Sequence, residues 1–108
     1  MIRYTTQTPF TNSERQLVEK IESCVCSHLN VEATNIKKKN LTTNVTLARG
    51  LIFYILHKEF AFSIGLIANL YNRSVRNVFW HNDKITHYLK QTTYKALYLS
   101  IIKDIQKQ

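Results

Sequence analysis

Five consecutive residues, Arg73-Ser74-Val75-Arg76-Asn77, gather hydrogen-bonding side chains where one helical stretch gives way to the next. Arginine forks onto guanine O6 and N7, and asparagine pairs with adenine N6 and N7. A helix start adds unpaired backbone N–H groups and a positive dipole end, both suited to phosphate. Arg76 and Asn77, in the first turn, are therefore candidate base readers, and Arg73 in the turn is a candidate backbone contact. Lys84, two turns further along, is placed to hold a phosphate. Together this is the chemistry by which a helix-turn-helix reads the major groove of DNA. The competing interpretation is an ordinary solvated face of an amphipathic helix.

Other chemistry is poorly supported. Cys24 and Cys26 are two apart in a helical run, so their side chains diverge and make a poor chelate or disulfide. The expectation is Cys24 as core filler and Cys26 as a surface or partly buried thiol. His28 stands apart from the other histidines, and His81 and His87 are expected as polar surface residues without metal partners. Carboxylates are few, no paired acids occur in the basic part, and no Gly-rich phosphate loop is present. An enzyme, a cofactor and a small-molecule substrate are not expected. No apolar run reaches membrane-spanning length, and no signal-peptide pattern precedes the three N-x-S/T triplets at Asn40, Asn44 and Asn72. The expected setting is cytoplasmic and reduced, with no membrane partner.

The elements that must position these residues are helices. In 108 residues there are two glycines and one proline, which suits an all-α fold with short connections. Residues 1–10 read as an irregular arm, and 11–108 as one compact helical domain of about five helices. Thr11-Asn12-Ser13-Glu14 has capping-box spacing and opens a helix to about residue 29. Val31 to Ile36 suggests a short helical turn, and Lys37-Lys38-Lys39-Asn40 an exposed connection. A second helix, capped by Thr43 or Asn44, is apolar around most of its girth and so central. Gly50 within it costs about 1 kcal/mol relative to Ala, which close approach of another helix would explain.

The helix-turn-helix spans about 63–90. Ser63 caps a short helix to about Leu70, Asn72-Arg73 forms the turn, and Ser74 caps the next helix. There Val75, Val78, Phe79, Asn82, Ile85 and Leu89 trace the expected buried stripe. Arg73, Arg76, Asn77, Trp80, His81 and Lys84 fall on the other side, with Trp80 expected against the last helix. That final helix runs from Thr92 or Thr93 to Ile105, with Leu97, Leu99, Ile101 and Ile102 on its apolar face.

Charge is unevenly distributed along the chain. The formal net charge is +8, and beyond residue 34 twelve Lys/Arg stand against Glu59, Asp83 and Asp104. A strongly basic section implies an anionic partner, with nucleic acid the usual one.

The run Ala48-Arg49-Gly50-Leu51-Ile52-Phe53-Tyr54-Ile55, then Ser63-Ile64, Leu66-Ile67-Ala68, Tyr71, Arg73, Val78 and Lys84-Ile85, resembles a known pattern. It is similar to the C-terminal DNA-binding domain of the bacterial replication initiator DnaA family, in register without a gap from Arg49 to Tyr71. The resemblance implies that Arg49 corresponds to an arginine entering the minor groove. It further implies that Lys37, Lys38 and Lys39 occupy the place of a phosphate-contacting basic loop. Arg73 corresponds to the arginine of the family turn, and Ser74, Val75, Arg76 and Asn77 fall on its Asp-His-Thr-Thr major-groove readers. None of those four is identical, and Asn72 stands where the family has Gly-Gly, so the family's target sequence does not transfer. Val75 is expected in the core.

The reading that results is a double-stranded DNA-binding protein, a small replication or transcription regulator without ATPase activity. The alternatives are a protein-interaction or self-association module using an aromatic patch of Trp80, Tyr88, Tyr94 and Tyr98, or an RNA-binding protein.

Overall fold

A computed structural model describes residues 12–38 and 42–107. The expected arm (1–10), the Thr11 cap, Lys39 and Asn40 lie outside the described residues. Among the described residues the chain is all-helical: α1 (Asn12–Leu29), a 3₁₀ turn (Ala33–Asn35), α2 (Thr43–Lys58), α3 (Ile64–Leu70), α4 (Val75–Tyr88) and α5 (Thr92–Lys107).

The central position of α2 follows from its composition. Nine of its residues are buried, on every side of its middle turns, so it has no continuous solvent face. It packs against α1, α3 and α4, while α5 lies on α1. The α5 attachment is completed by polar tips. Tyr98 is edge-on to Tyr54 with ring centroids 5.6 Å apart, and its hydroxyl donates to Glu59 Oε2 at 2.6 Å. His28 on α1 bonds Asp104 on α5.

The helix ends are set by local chemistry. α2 starts after Thr42, one residue earlier than expected, without a side-chain cap. Ser63 and Ser74 do cap: their Oγ atoms accept from the N–H of Leu66 at 3.1 Å and of Asn77 at 3.0 Å. α3 closes in a Schellman turn, with Arg73 N–H donating to Ala68 O at 2.8 Å and Asn72 N–H to Asn69 O at 3.3 Å. Asn72 takes the required left-handed conformation, φ 52°. Asparagine tolerates that region, so this turn closes without a glycine.

Some apolar residues of the expected stripes face outward. Val75, Phe79 and Leu99 are 46%, 53% and 55% exposed. Cys26, expected near the surface, is buried beside Cys24 in the core, and burial raises both thiol pKa values.

Gly50 lets α4 approach α2. A Cβ there would lie 3.0 Å from both Cγ1 and Cδ1 of Ile85, itself fully packed. Gly50→Val should therefore force α4 outward and cost about 1–3 kcal/mol, measured by urea unfolding. An unchanged midpoint would show that α4 does not depend on this contact.

Candidate nucleic-acid interface

The segment 35–38 ahead of α2 is held by a buried arginine. Arg49 is 1% exposed, and its guanidinium reaches back to the end of the 3₁₀ turn. Nε donates to Ile36 O at 2.8 Å, and Nη2 donates to Lys38 O at 2.8 Å and Asn35 O at 3.3 Å. Burial, then the neighbouring Arg73, lowers its pKa. The minor-groove role that the resemblance implied for Arg49 needs an outward side chain, whereas here the side chain is turned inward onto backbone carbonyls.

Arg73 joins the same arrangement from the α3–α4 turn. Its Nη2 donates to Lys38 O at 3.1 Å and its Nη1 to Asn77 Oδ1 at 3.4 Å. Asn77 is thus half-buried and held, while Arg76 beside it is exposed. Lys37 and Lys38 are exposed at the loop surface, with Lys37 Nζ 6.0 Å from the Tyr71 ring centroid. Tyr71 is anchored in turn, its hydroxyl donating to Glu22 Oε2 at 2.5 Å; burial, then Glu22, raises its pKa. Lys37, Arg73, Ser74 and Asn77 border one small cleft at the start of α4, about 290 Å³ in volume.

A second, larger cleft of about 640 Å³ lies between the first half of α2 and the cleft-facing flank of α4. Thr43, Thr46 and Arg49 line one side. Asn77, Trp80, His81, Lys84 and Tyr88 line the other, with Arg73 at the end. Trp80 is 48% exposed, and its ring contacts are with His81, centroids 4.9 Å apart, and Lys84, whose Nζ is 4.6 Å above it. It is not tucked against the last helix; Tyr88 makes that link by stacking on Tyr94 at 4.7 Å.

His81 was expected at the surface and is instead buried, edge-on to Phe53 at 5.3 Å. Its pKa is lowered to about 4 by burial, then by Arg49, Arg73 and Lys84. The imidazole is neutral at physiological pH.

The structure thus brings Lys37, Lys38, Arg73, Ser74 and Asn77 together at one end of α4, with Arg49 beneath and Lys84 further along. Val75 sits away from both clefts, exposed rather than in the core, and Arg76 projects outward. His81, Thr43 and Thr46 were not recognised as site residues, and Tyr88 was named only in the alternative aromatic patch. The spacing Asn77, Trp80/His81, Lys84 and Tyr88, three to four residues apart, was the available signal that they share a face.

No protein-family model matches this chain, and no curated protein matches it. Among the described residues no helix is long and apolar enough to cross a membrane.

Two outcomes follow. Between pH 6.5 and about 4 the unfolded chain takes up a proton at His81 that the folded chain refuses. Stability contributed by the neutral imidazole is therefore lost as pH falls through that window, by about 3 kcal/mol in all. Melting temperature against pH should show this slope, and His81→Phe should flatten it. Arg49→Lys removes the fork to three carbonyls and should cost about 2 kcal/mol by chemical unfolding. A DNA-only role for Arg49 would instead leave unfolding unchanged.

Proposed function

We propose that this protein binds double-stranded DNA, with α3 and α4 as the helix-turn-helix and α4 entering the major groove. The observation that carries the reading is the pinning of the Lys37–Lys38 loop beside the capped start of α4. Lys38 O accepts from Arg49 and Arg73 together, so the segment carrying the two exposed lysines is held against Arg73, three residues before the exposed Arg76.

In this arrangement Arg76 reads a base edge, and Lys37 and Lys38 grip phosphates beside it. Lys84 supplies a further phosphate contact. Val75 and Phe79, one turn apart and exposed, suit the methyl groups of thymine. Arg49 and Asn77 act through position: one holds the loop, the other receives Arg73. The DnaA-like register from Arg49 to Tyr71 agrees with a helix-turn-helix, and a role as a small replication or transcription regulator is part of the proposal. The same exposed pair, Val75 and Phe79, also favours a second reading, self-association through α4.

Binding of labelled duplexes across a salt series tests the proposal. Log affinity should fall linearly with log salt. Arg76→Ala should cost about 1–3 kcal/mol on the preferred duplex and relax the preference at one position. Replacing Lys37 and Lys38 by alanine should weaken all sequences alike and reduce the slope by about one unit per phosphate lost. Salt-independent affinity, or an unchanged preference in Arg76→Ala, would overturn it. Sedimentation without DNA reads the second interpretation: a dimer that Phe79→Ser dissociates.

A further inference from the structure

We infer that the larger cleft between α2 and α4 is a nucleotide pocket, taking one unpaired base against Trp80 and its phosphate on Lys84 and Arg73. The inference extends the nucleic-acid reading above to a different ligand form, since a base inside a duplex offers no free face.

Four observations converge on this chemistry. The volume, about 640 Å³, is that of a small-molecule site and far exceeds what a lone phosphate fills. Arg49, Arg73 and Lys84 line it, and no acidic side chain is among its described walls. Trp80 presents a half-exposed aromatic face at its mouth, the platform on which bases of any identity stack. His81, 97% buried and lining the cleft, makes no hydrogen bond among the described residues. With Nδ1 turned toward Gly50, the remaining ring nitrogen can offer a base edge one hydrogen bond, as donor or acceptor according to the tautomer.

Lys84 supplies the moving part. Its ammonium rests over the Trp80 ring, 4.6 Å from the centroid. A base stacking on the indole takes that position, and the flexible ammonium turns to the attached phosphate. An acidic peptide would use the cations but leave the indole face and the His81 edge unmatched. Mixed aromatic and cationic walls therefore favour a nucleotide over a carboxylate chain.

Trp80 is the only tryptophan, so its fluorescence reports on this cleft directly. The whole chain is titrated with adenosine monophosphate, adenosine, inorganic phosphate, a single-stranded oligothymidylate and a hairpin duplex with closed ends. Adenosine monophosphate and the single strand should quench Trp80 saturably. Adenosine should bind about 10-fold more weakly, and phosphate should not quench. Lys84→Gln, at an exposed position, should weaken the monophosphate about 5–10-fold. Trp80→Leu, followed by calorimetry, should weaken it by about 10-fold. Arg76→Ala, outside the cleft, should reduce duplex binding while leaving the monophosphate constant unchanged.

A single strand binding far more tightly than the monophosphate identifies unpaired nucleic acid as the source; equal affinities identify a free nucleotide. Absence of saturable quenching by both, with duplex binding intact, overturns the pocket and leaves the duplex reading standing. Nucleotide binding without any duplex binding does the reverse. Displacement of the monophosphate by polyglutamate at equal charge concentration also overturns the pocket.

Discussion

One carbonyl oxygen, that of Lys38, accepts from two guanidinium groups, Arg49 at 2.8 Å from inside the fold and Arg73 at 3.1 Å from the α3–α4 turn. A carbonyl has two lone pairs, so both donors are accommodated. Through this atom the segment 36–38, the central helix and the α3–α4 turn become one unit. Burying the Arg49 charge is costly by itself; its fork also bonds Ile36 O and Asn35 O, which offsets that cost and satisfies loop carbonyls. The next residue, Gly50, lets Ile85 of α4 pack directly on the α2 backbone. Two adjacent residues thus set both walls of the site.

The same arrangement concentrates positive charge. Glu22 is engaged by Tyr71, Glu59 by Tyr98 and Asp104 by His28, all away from the larger cleft. These three acidic groups therefore tie helices together elsewhere, and no acidic side chain lines the larger cleft among the described residues. His81 registers the resulting field: burial first, then Arg49, Arg73 and Lys84, keep it from accepting a proton. Cations brought this close repel one another, and an anionic ligand relieves that repulsion. The fold thus gathers three of its cations on one flank.

Most of the architecture was legible in the chain. The 3.6-residue spacing gave five helices, and Ser63 and Ser74 cap as their positions suggested, because a serine before a periodic run has one evident task. Failures came where polarity stood in for burial. Phe79 and Val75 were placed inward because they are apolar, although apolar residues at surfaces are common. His81 was placed outward because it is polar, yet it lies on the α4 face toward Phe53. Arg49 is more instructive, since α2 was recognised as apolar all round. A helix without a solvent face gives an arginine in its middle nowhere to go but inward, toward carbonyls that only the folded loop supplies.

The surface of α4 divides into sectors with different chemical tasks. Val78, Asn82 and Ile85 face the core; His81 is buried where core and cleft meet; Asn77, Trp80, Lys84 and Tyr88 face the cleft; Arg76 points to solvent; Val75 and Phe79 form an apolar flank. Asn82 is buried with neither side-chain atom hydrogen-bonded among the described residues, so the core sector alone is not optimised for stability. A helix shaped only by packing would bury Phe79 and expose Asn82 and His81. Both preferences are inverted on this one helix, with apolar groups outside and an imidazole kept neutral at the cleft wall. Because Arg76 and the cleft lie on different sectors of this helix, the proposed duplex contact and the proposed nucleotide contact would draw on separate side chains, Lys84 being the one common to both.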